Sequence, residues 1–193
     1  MKYLFSCLIS GFILFAVGKS YGQSARYDST LKMGKVGYRI ICNNKNDDKN
    51  ELTVKPVGFE NTARPFMFYI KGRVVKAEID DLDNNNFPDA VVYMYGGKNG
   101  EYGNVFAFVS EQNKSIAPVA LPDVMLDGKI NGGYKGHDVF SLMEGTLMQK
   151  FPLYKAGDST DKPSGGNRII QYNLAGSENG GYKFKMLRFY DLK

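Results

Sequence analysis

The fold of this chain is indicated most clearly by residues 90–121, which read AVVYMYGGKNGEYGNVFAFVSEQNKSIAPVAL. Ala90–Tyr95 is an almost continuous apolar run, and the shorter runs Val105–Ser110 and Ile116–Leu121 follow it. A glycine-rich segment separates the first two runs, and a short polar segment separates the last two. Short runs rich in β-branched and aromatic residues, broken by turn residues, are typical of β-strands. This stretch therefore predicts three strands joined by turns.

The same pattern extends in both directions from this stretch. Pro65–Ile70 and Arg73–Ile79 flank Lys71-Gly72, which predicts a tight hairpin. Residues 122–136 contain four glycines and little periodicity, so they predict a long connection. The other predicted strands are Val36–Cys42, the segment around Leu52, Val54 and Val57, Val139–Met143, Thr146–Phe151, Arg168–Leu174 and Tyr182–Tyr190.

No segment shows a helical face bounded by caps. Many short strands with glycine-rich turns predict an all-β chain, an antiparallel β-sandwich or barrel of about nine to eleven strands. The length of 193 residues is that of a single domain.

The first 22 residues have the features of a secretory signal peptide. Leu4–Val17 is an apolar run of about 14 residues, which is shorter than the roughly 20 that a membrane-spanning helix needs. Small residues near its end predict cleavage between Gly22 and Gln23. We therefore expect residues 23–193 to form the mature chain, located in the periplasm or secreted and not attached to a membrane.

Composition limits the chemistry that the chain can perform. With 43% hydrophobic and 23% charged residues, it is not a disordered chain. Removal of the signal peptide takes away two lysines and lowers the formal net charge from +5 to +3. The basic residues are scattered, which argues against nucleic-acid binding. A single histidine excludes a multi-histidine metal centre. The cysteine of the mature chain, Cys42, is predicted to be a buried structural residue.

An acidic segment, DLDNNNFPD at residues 81–89, is the sharpest local motif. Asp81, Asp83 and Asn85 supply oxygens at alternate positions and Asp89 adds a carboxylate, a spacing that suits a loop around Ca²⁺. The segment lacks the acid at position 12 that an EF-hand requires. The alternative is an Asx-rich turn whose carboxylates accept backbone N–H bonds without a metal. The sequence leaves both interpretations open.

The segment Gly96–Asn104 has four glycines in nine residues and one large side chain, Tyr102. Glycine lets the backbone turn sharply and approach other groups closely. A tyrosine offers a large contact area and a hydroxyl group at a low cost in rotamer entropy. This segment is therefore either a binding loop anchored by Tyr102 or an ordinary hairpin turn in which Tyr102 packs against the protein.

Residues 134–140, YKGHDVF, place a histidine and an aspartate side by side. Neighbours on a strand point to opposite faces, so we do not expect His137 and Asp138 to form a catalytic pair, and we predict a structural role for His137. The sequence also lacks the Gly-x-Ser-x-Gly motif of a nucleophilic serine. A further long segment, Lys155–Gly166, is a candidate functional loop, with a plain surface connection as the alternative.

Together, the motifs between about Asp81 and Tyr190 resemble those of the periplasmic inhibitors of invertebrate-type (I-type) lysozyme. In chain order they are DLDNNNFPDAVVY at 81–93, GEYG at 100–103, YKGHDxF at 134–140, EGTLMQKFPLYK at 144–155, KPxGG at 162–166 and RIIQY at 168–172. The segment before them, Gln23 to about Arg73, contributes no recognised motif.

This resemblance implies an exported β-sandwich that inserts a loop into the substrate cleft of a lysozyme. The Ser-Gly-x-Tyr loop of that family corresponds to Asn99, Gly100, Glu101 and Tyr102, followed by Gly103, with Asn99 in place of the serine. A second candidate motif consists of Tyr134, Gly136, His137 and Asp138. We expect Glu101 at the rim of the cleft, because inside it the side chain would repel the catalytic carboxylates of the lysozyme.

Two other functional classes are weighed against inhibition. One is a calcium-stabilised, non-enzymatic module of the cell envelope that binds a glycan or a protein through exposed tyrosines. The other is an enzyme, but no motif selects a catalytic pair of carboxylates. The sequence therefore favours a protein that has no catalytic residues, requires no cofactor and binds a lysozyme. It leaves open whether the chain forms a homodimer through an exposed strand edge.

Overall fold

The computed structural model describes residues 26–60 and 63–193, so the predicted signal peptide lies outside the described residues. These residues form twelve β-strands and one short 3-10 helix, Val124–Leu126. The strands are β1 (Tyr27–Met33), β2 (Val36–Cys42), β3 (Asn50–Val57), β4 (Phe66–Ile70), β5 (Arg73–Asp80), β6 (Asp89–Gly96), β7 (Tyr102–Glu111), β8 (Ser115–Ala120), β9 (Val139–Met143), β10 (Thr146–Pro152), β11 (Asn167–Gly176) and β12 (Tyr182–Leu192).

The strands form three antiparallel sheets of four strands each, and each sheet is a meander of consecutive strands. We call them the first sheet (β1–β4), the central sheet (β5–β8) and the third sheet (β9–β12). Two hydrophobic cores lie between the sheets. One lies between the first sheet and the central sheet, and the other lies between the central sheet and the third sheet. The predicted all-β, sandwich-like fold is confirmed, with twelve strands where about nine to eleven were expected.

The continuous apolar character of β6 follows from its central position. Successive side chains on a strand point to opposite faces. Ala90, Val92 and Met94 enter the core shared with the first sheet, whereas Val91 and Tyr93 enter the core shared with the third sheet. A strand that is buried on both faces therefore needs apolar residues at every position.

The sequence did not predict β1. Of its seven residues, Tyr27 and Leu31 pack against the core, and their neighbours Asp28, Thr30 and Lys32 are exposed. The strand lies at the edge of the first sheet, where polar side chains can face solvent. Its polar composition hides it because only one face contacts the core.

The predicted hairpin at Lys71-Gly72 is wrong, although both flanking strands exist. β4 pairs with β3 in the first sheet, and β5 pairs with β6 in the central sheet, so the turn carries the chain from one sheet to the other. Gly72 has a φ of +89°, and a Cβ atom at this position would lie 2.4 Å from the carbonyl oxygen of Tyr95. The backbone therefore crosses directly over the end of β6, where a larger residue would not fit.

Two buried asparagines satisfy the backbone at this crossing. The Asn50 side chain donates to the carbonyl of Gly72 at 2.7 Å. Asn44 accepts from the N–H of Val74 at 2.9 Å and donates to its carbonyl at 2.8 Å. Buried backbone groups need such partners where no neighbouring strand supplies them. The side chains of Asn44 and Asn50 replace the bonds that a hairpin partner would have made.

The described residues contain no helix with the length and apolar character needed to cross a membrane.

Candidate functional site

The segment Gly96–Asn104 forms the hairpin between β6 and β7, and we call it the 96–104 hairpin. Its turn is closed by a hydrogen bond from the N–H of Gly100 to the carbonyl of Gly97, at 3.2 Å. The Glu101 carboxylate accepts the N–H of Asn99 at 2.8 Å. Glu101 thus folds back onto its own turn and helps to fix the turn's shape.

Tyr102 is the large side chain that this hairpin exposes. It is 48% exposed, and its ring centroid lies 6.4 Å from that of Tyr134. Tyr134 itself packs edge-on against the fully buried Phe151, with centroids 4.7 Å apart. About half of the Tyr102 side chain is therefore covered by the protein, and the rest is open to a partner.

Residues 134–138 lie directly behind the hairpin. The N–H of His137 donates to the carbonyl of Glu101. Gly136 has a φ of +83°, and a Cβ atom there would lie 2.5 Å from the same carbonyl oxygen. A glycine is needed at this position because the two backbone segments approach so closely. The fold thus brings together the two motifs that the sequence places more than 30 residues apart.

Asp138 is the centre of the contact between these segments. It is 3% exposed. One carboxylate oxygen accepts the N–H of Gly103 at 2.9 Å and the hydroxyl of Tyr134 at 2.7 Å. The other accepts the side-chain amide of Gln149 at 2.8 Å, and Gln149 in turn accepts the hydroxyl of Tyr172 at 3.2 Å. A buried carboxylate with three donors is stable where an unpaired one would be costly.

Burial and hydrogen bonding have opposing effects on the pKa of the Asp138 carboxyl group. Desolvation raises the pKa of Asp138 above its ordinary value, while the bonds from Tyr134, Gly103 and Gln149 lower it in part. Burial together with the nearby Asp138 charge also raises the pKa of Tyr134, so its hydroxyl stays protonated and can act as a donor.

His137 and Asp138 do not form a pair. Asp138 is buried, whereas His137 is exposed and lies beside Tyr154, with ring centroids 6.2 Å apart. The backbone of His137 has a φ of +63°, and its N–H is used by the hairpin contact. The imidazole therefore faces solvent at the side of the 96–104 hairpin.

A cavity of about 300 Å³ adjoins the 96–104 hairpin. Its lining includes Tyr102, Gly103 and Tyr134 together with Gln149 and Val124. Asp123 and Lys71 also contribute to the lining. The residues that support the hairpin therefore also form part of a concave surface that is open to a ligand or to a protruding side chain.

The acidic segment 81–89 lies at the other end of β6 from the 96–104 hairpin. Asp81 accepts the N–H groups of Asn85 and Asn86, at 2.9 and 2.8 Å. Asp89, which is fully buried, accepts the N–H groups of Leu82 and Ser110, at 2.9 and 2.8 Å. Two of its carboxylates are thus bound to backbone donors, as in an Asx-rich turn.

The same segment retains one feature of a metal site. Carboxylate oxygens of Asp81, Asp83 and Asp89 lie within 4.8 Å of one another. Asp83 Oδ1 is buried and has no hydrogen-bond partner among the described residues. Asn85 uses its side-chain oxygen to accept the N–H of Phe87 at 2.7 Å. The three aspartates are the carboxylates that lie close enough together to share a cation here, and Asn85 stays a predicted ligand beside them.

Burial raises the pKa of Asp89 to about 7, and the neighbouring charges of Asp83 and Asp81 add to this rise. The pKa of Asp83 is also raised, by burial and by the charge of Asp81. Close carboxylates repel one another when ionised, and a bound cation would remove that repulsion.

The long segment Lys155–Gly166 is held by its own hydrogen bonds. Asp158 accepts the N–H groups of Lys155 and Ser164, at 2.7 and 2.8 Å. Lys135 connects this segment to residues 134–138, because its ammonium group donates to the carbonyl of Asp158 at 3.5 Å and lies 4.9 Å from the ring centroid of the preceding Tyr154. The segment therefore borders the same face of the molecule as His137.

Sequence reasoning did not single out Gln149. It occupies an inward position of β10 between the buried residues Leu147 and Phe151. An amide in an otherwise apolar inward row was the signal that could have identified it, because buried polar side chains need hydrogen-bond partners.

No protein-family model, curated protein sequence or solved structure matches this chain.

Proposed function

We propose that this chain is an exported inhibitor of a lysozyme, with the invertebrate type as the expected target, and that it acts without catalytic residues of its own. The proposal places it in the periplasm or outside the cell. The 96–104 hairpin is the segment that enters the substrate cleft, and its contact residues are Asn99, Gly100, Glu101, Tyr102 and Gly103.

The observation that carries this proposal is a half-exposed tyrosine on a hairpin whose base is fixed. Tyr102 follows directly after a turn that is closed by its own hydrogen bonds. Gly103, the next residue, is bonded to the buried Asp138. A rigid segment loses little conformational entropy on binding, which favours tight association.

The chemistry of the hairpin suits a glycosidase cleft. Such a cleft contains two carboxyl groups, one of them protonated and one ionised. The Tyr102 hydroxyl and the Asn99 side-chain amide can donate hydrogen bonds to these groups, and the tyrosine ring occupies the place of a sugar. The Glu101 carboxylate is engaged with the N–H of Asn99, which reduces its repulsion towards the catalytic acids.

The test is inhibition of invertebrate-type lysozyme on a cell-wall substrate by the purified mature chain. We expect Tyr102→Ala to weaken inhibition by about 2 kcal/mol or more, because a buried tyrosine at the centre of an interface is a typical hot spot. Its stability should change little, since the side chain is half exposed. Tyr69→Ala is the matched control, because Tyr69 is 64% exposed and lies on β4 of the first sheet.

Normal lysis at micromolar inhibitor with invertebrate, chicken and goose types of lysozyme would rule out the proposed function. An equal loss of inhibition in Tyr102→Ala and Tyr69→Ala would contradict the assignment of the contact to the hairpin.

Calcium binding by Asp81, Asp83 and Asp89 stays a prediction, and with it the alternative of a calcium-stabilised module that binds a glycan or a protein. Thermal unfolding with calcium and with EDTA tests it. We expect EDTA to leave the midpoint unchanged, because backbone N–H groups already bind Asp81 and Asp89. A rise with calcium that is lost in Asp83→Ala would show that the loop binds the ion, and a glycan array with and without calcium would then test the module.

A further inference from the structure

A buried hydrogen-bonded network stands behind the proposed binding hairpin without forming part of its surface. Asp138 and Gln149 are 3% and 2% exposed, so neither can contribute much contact area to a partner. Both are nevertheless within two hydrogen bonds of Gly103 at the base of the hairpin. Their chemistry is therefore directed inwards, towards the position of the hairpin.

We propose that Asp138 is a positioning residue that fixes the 96–104 hairpin in its binding conformation, with Tyr134 and Gln149 holding the Asp138 carboxylate in place. This inference rests on the proposed function, since it assigns a role within that same site. The inference goes beyond the proposed function because it assigns part of the affinity to a residue that the partner does not contact.

The geometry explains why this position requires a branched side chain with two hydrogen-bonding atoms. Asp138 bridges three separate segments: the start of β7 through Gly103, the 134–138 segment through Tyr134, and β10 through Gln149. A side chain with a single polar atom could not bond to groups that come from different directions. The two oxygens of a carboxylate can.

Close packing reinforces the same contact. A Cβ atom on Gly103 would lie 2.7 Å from the Cβ atom of Asp138 and 2.6 Å from the ring of Phe140. The start of β7 therefore rests directly on the Asp138 side chain. Removing this side chain removes both a bond to the N–H of Gly103 and the surface against which the hairpin lies.

Asp138→Asn is the conservative variant that separates positioning from charge. The asparagine oxygen can still accept from Gly103 and Tyr134. Its amide group can donate to the Gln149 oxygen if the Gln149 amide rotates by half a turn, and the Tyr172 hydroxyl can then accept from Gln149. The network survives in this variant, whereas Asp138→Ala abolishes it.

Two measurements test the proposal, one of which is independent of any lysozyme. Amide hydrogen exchange of Gly103 and its hairpin neighbours, followed by NMR, should be at least about tenfold faster in Asp138→Ala than in the wild type, and near wild type in Asp138→Asn. Inhibition of invertebrate-type lysozyme should weaken about tenfold or more in Asp138→Ala and stay near wild type in Asp138→Asn. Tyr134→Phe removes a single donor and keeps the ring. Its exchange rate and its inhibition should lie between those of Asp138→Asn and Asp138→Ala.

Asp28→Ala, a surface aspartate on β1, is the matched control and should change neither measurement. Unchanged Gly103 exchange and unchanged inhibition in Asp138→Ala would overturn the proposal. Equal losses in Asp138→Asn and Asp138→Ala would also overturn it, because they would make the charge and not the network responsible. If the wild type inhibits no lysozyme, the proposed function fails, and the exchange measurement alone then decides whether Asp138 fixes the hairpin.

Discussion

Among the residues of the candidate site, Asp138 is the one whose burial makes the greatest demand on hydrogen-bond partners. The fold removes its carboxylate from water and provides three donors in return. Since desolvation is the largest influence, its pKa in the folded protein lies above the ordinary value of 3.8. The folded protein therefore holds this proton at pH values where the unfolded chain has released it.

This raised pKa predicts the sign of a pH effect. Because the folded state binds the proton more tightly, the contribution of Asp138 to stability is fully present below about pH 3.8 and is lost as the pH rises through its folded pKa. Asp138→Asn has no proton to lose. We expect the free energy of unfolding of this variant to rise relative to that of the wild type as the pH increases over this range.

Urea unfolding of both proteins between about pH 4 and pH 8 measures the difference. The raised pKa of Asp89 gives a slope of the same sign, but it cancels because both proteins carry that residue. A difference that is constant with pH, or that falls with rising pH, would show that the folded pKa of Asp138 is not raised.

At the scale of elements, the crossing from β4 to β5 depends on the absence of a side chain at Gly72. We expect Gly72→Ala to destabilise the protein by about 2 kcal/mol or more, since the alanine would require a positive φ and place its Cβ 2.4 Å from the Tyr95 carbonyl. Urea unfolding gives the magnitude.

Gly128→Ala is the matched control for this substitution. Gly128 is exposed, and a Cβ atom there would have no other atom within 4 Å, so alanine should change stability by less than about 0.5 kcal/mol. Equal effects of the two substitutions would mean that the close approach of Gly72 to β6 carries no energetic weight.

The strands themselves were largely predictable, since each of β2–β12 coincides with a run that the sequence identifies. The placement of β4 and β5 in different sheets was not. Two adjacent strands joined by Lys71-Gly72 have the local pattern of a hairpin, but Ile70 and Val74 both enter the core between the first and central sheets. Which sheet a strand joins depends on burial against distant strands, and the local pattern carries no information about that.

At the scale of the whole molecule, the central sheet connects two hydrophobic cores. Val91 and Val92 are neighbours on β6, both are fully buried, and they face different cores. If the three sheets form one cooperative unit, the protein should unfold in a single transition. Val91→Ala and Val92→Ala should then each lower the free energy of that unfolding by about 2 kcal/mol. Val75→Ala, at an exposed position of β5, is the matched control and should have little effect.

Because the chain has 13 tyrosines and no tryptophan, tyrosine fluorescence and far-UV circular dichroism are suitable probes. Coincident transitions by both probes would support a single domain. Two separate transitions, with Val91→Ala shifting one and Val92→Ala the other, would show that the first and third sheets unfold independently of each other.

The class of fold and the positions of the segments that carry the proposed site follow from local patterns of residue types. Alternating and continuous apolar runs indicate strands because burial on one or two faces imposes that pattern. The glycine-rich 96–104 segment and the YKGHD segment can also be recognised from the sequence, because their residue types are local properties of the chain.

How these segments meet depends on the folded chain. β4 and β5 are adjacent in sequence but belong to different sheets. The N–H of His137 bonds to the carbonyl of Glu101, and Asp138 bonds to Gly103 and Gln149, so segments that are apart in the sequence come into contact. Such contacts form because buried polar groups must find partners and apolar faces must be covered. Both requirements are met by the folded chain as a whole, so no local stretch of sequence specifies them.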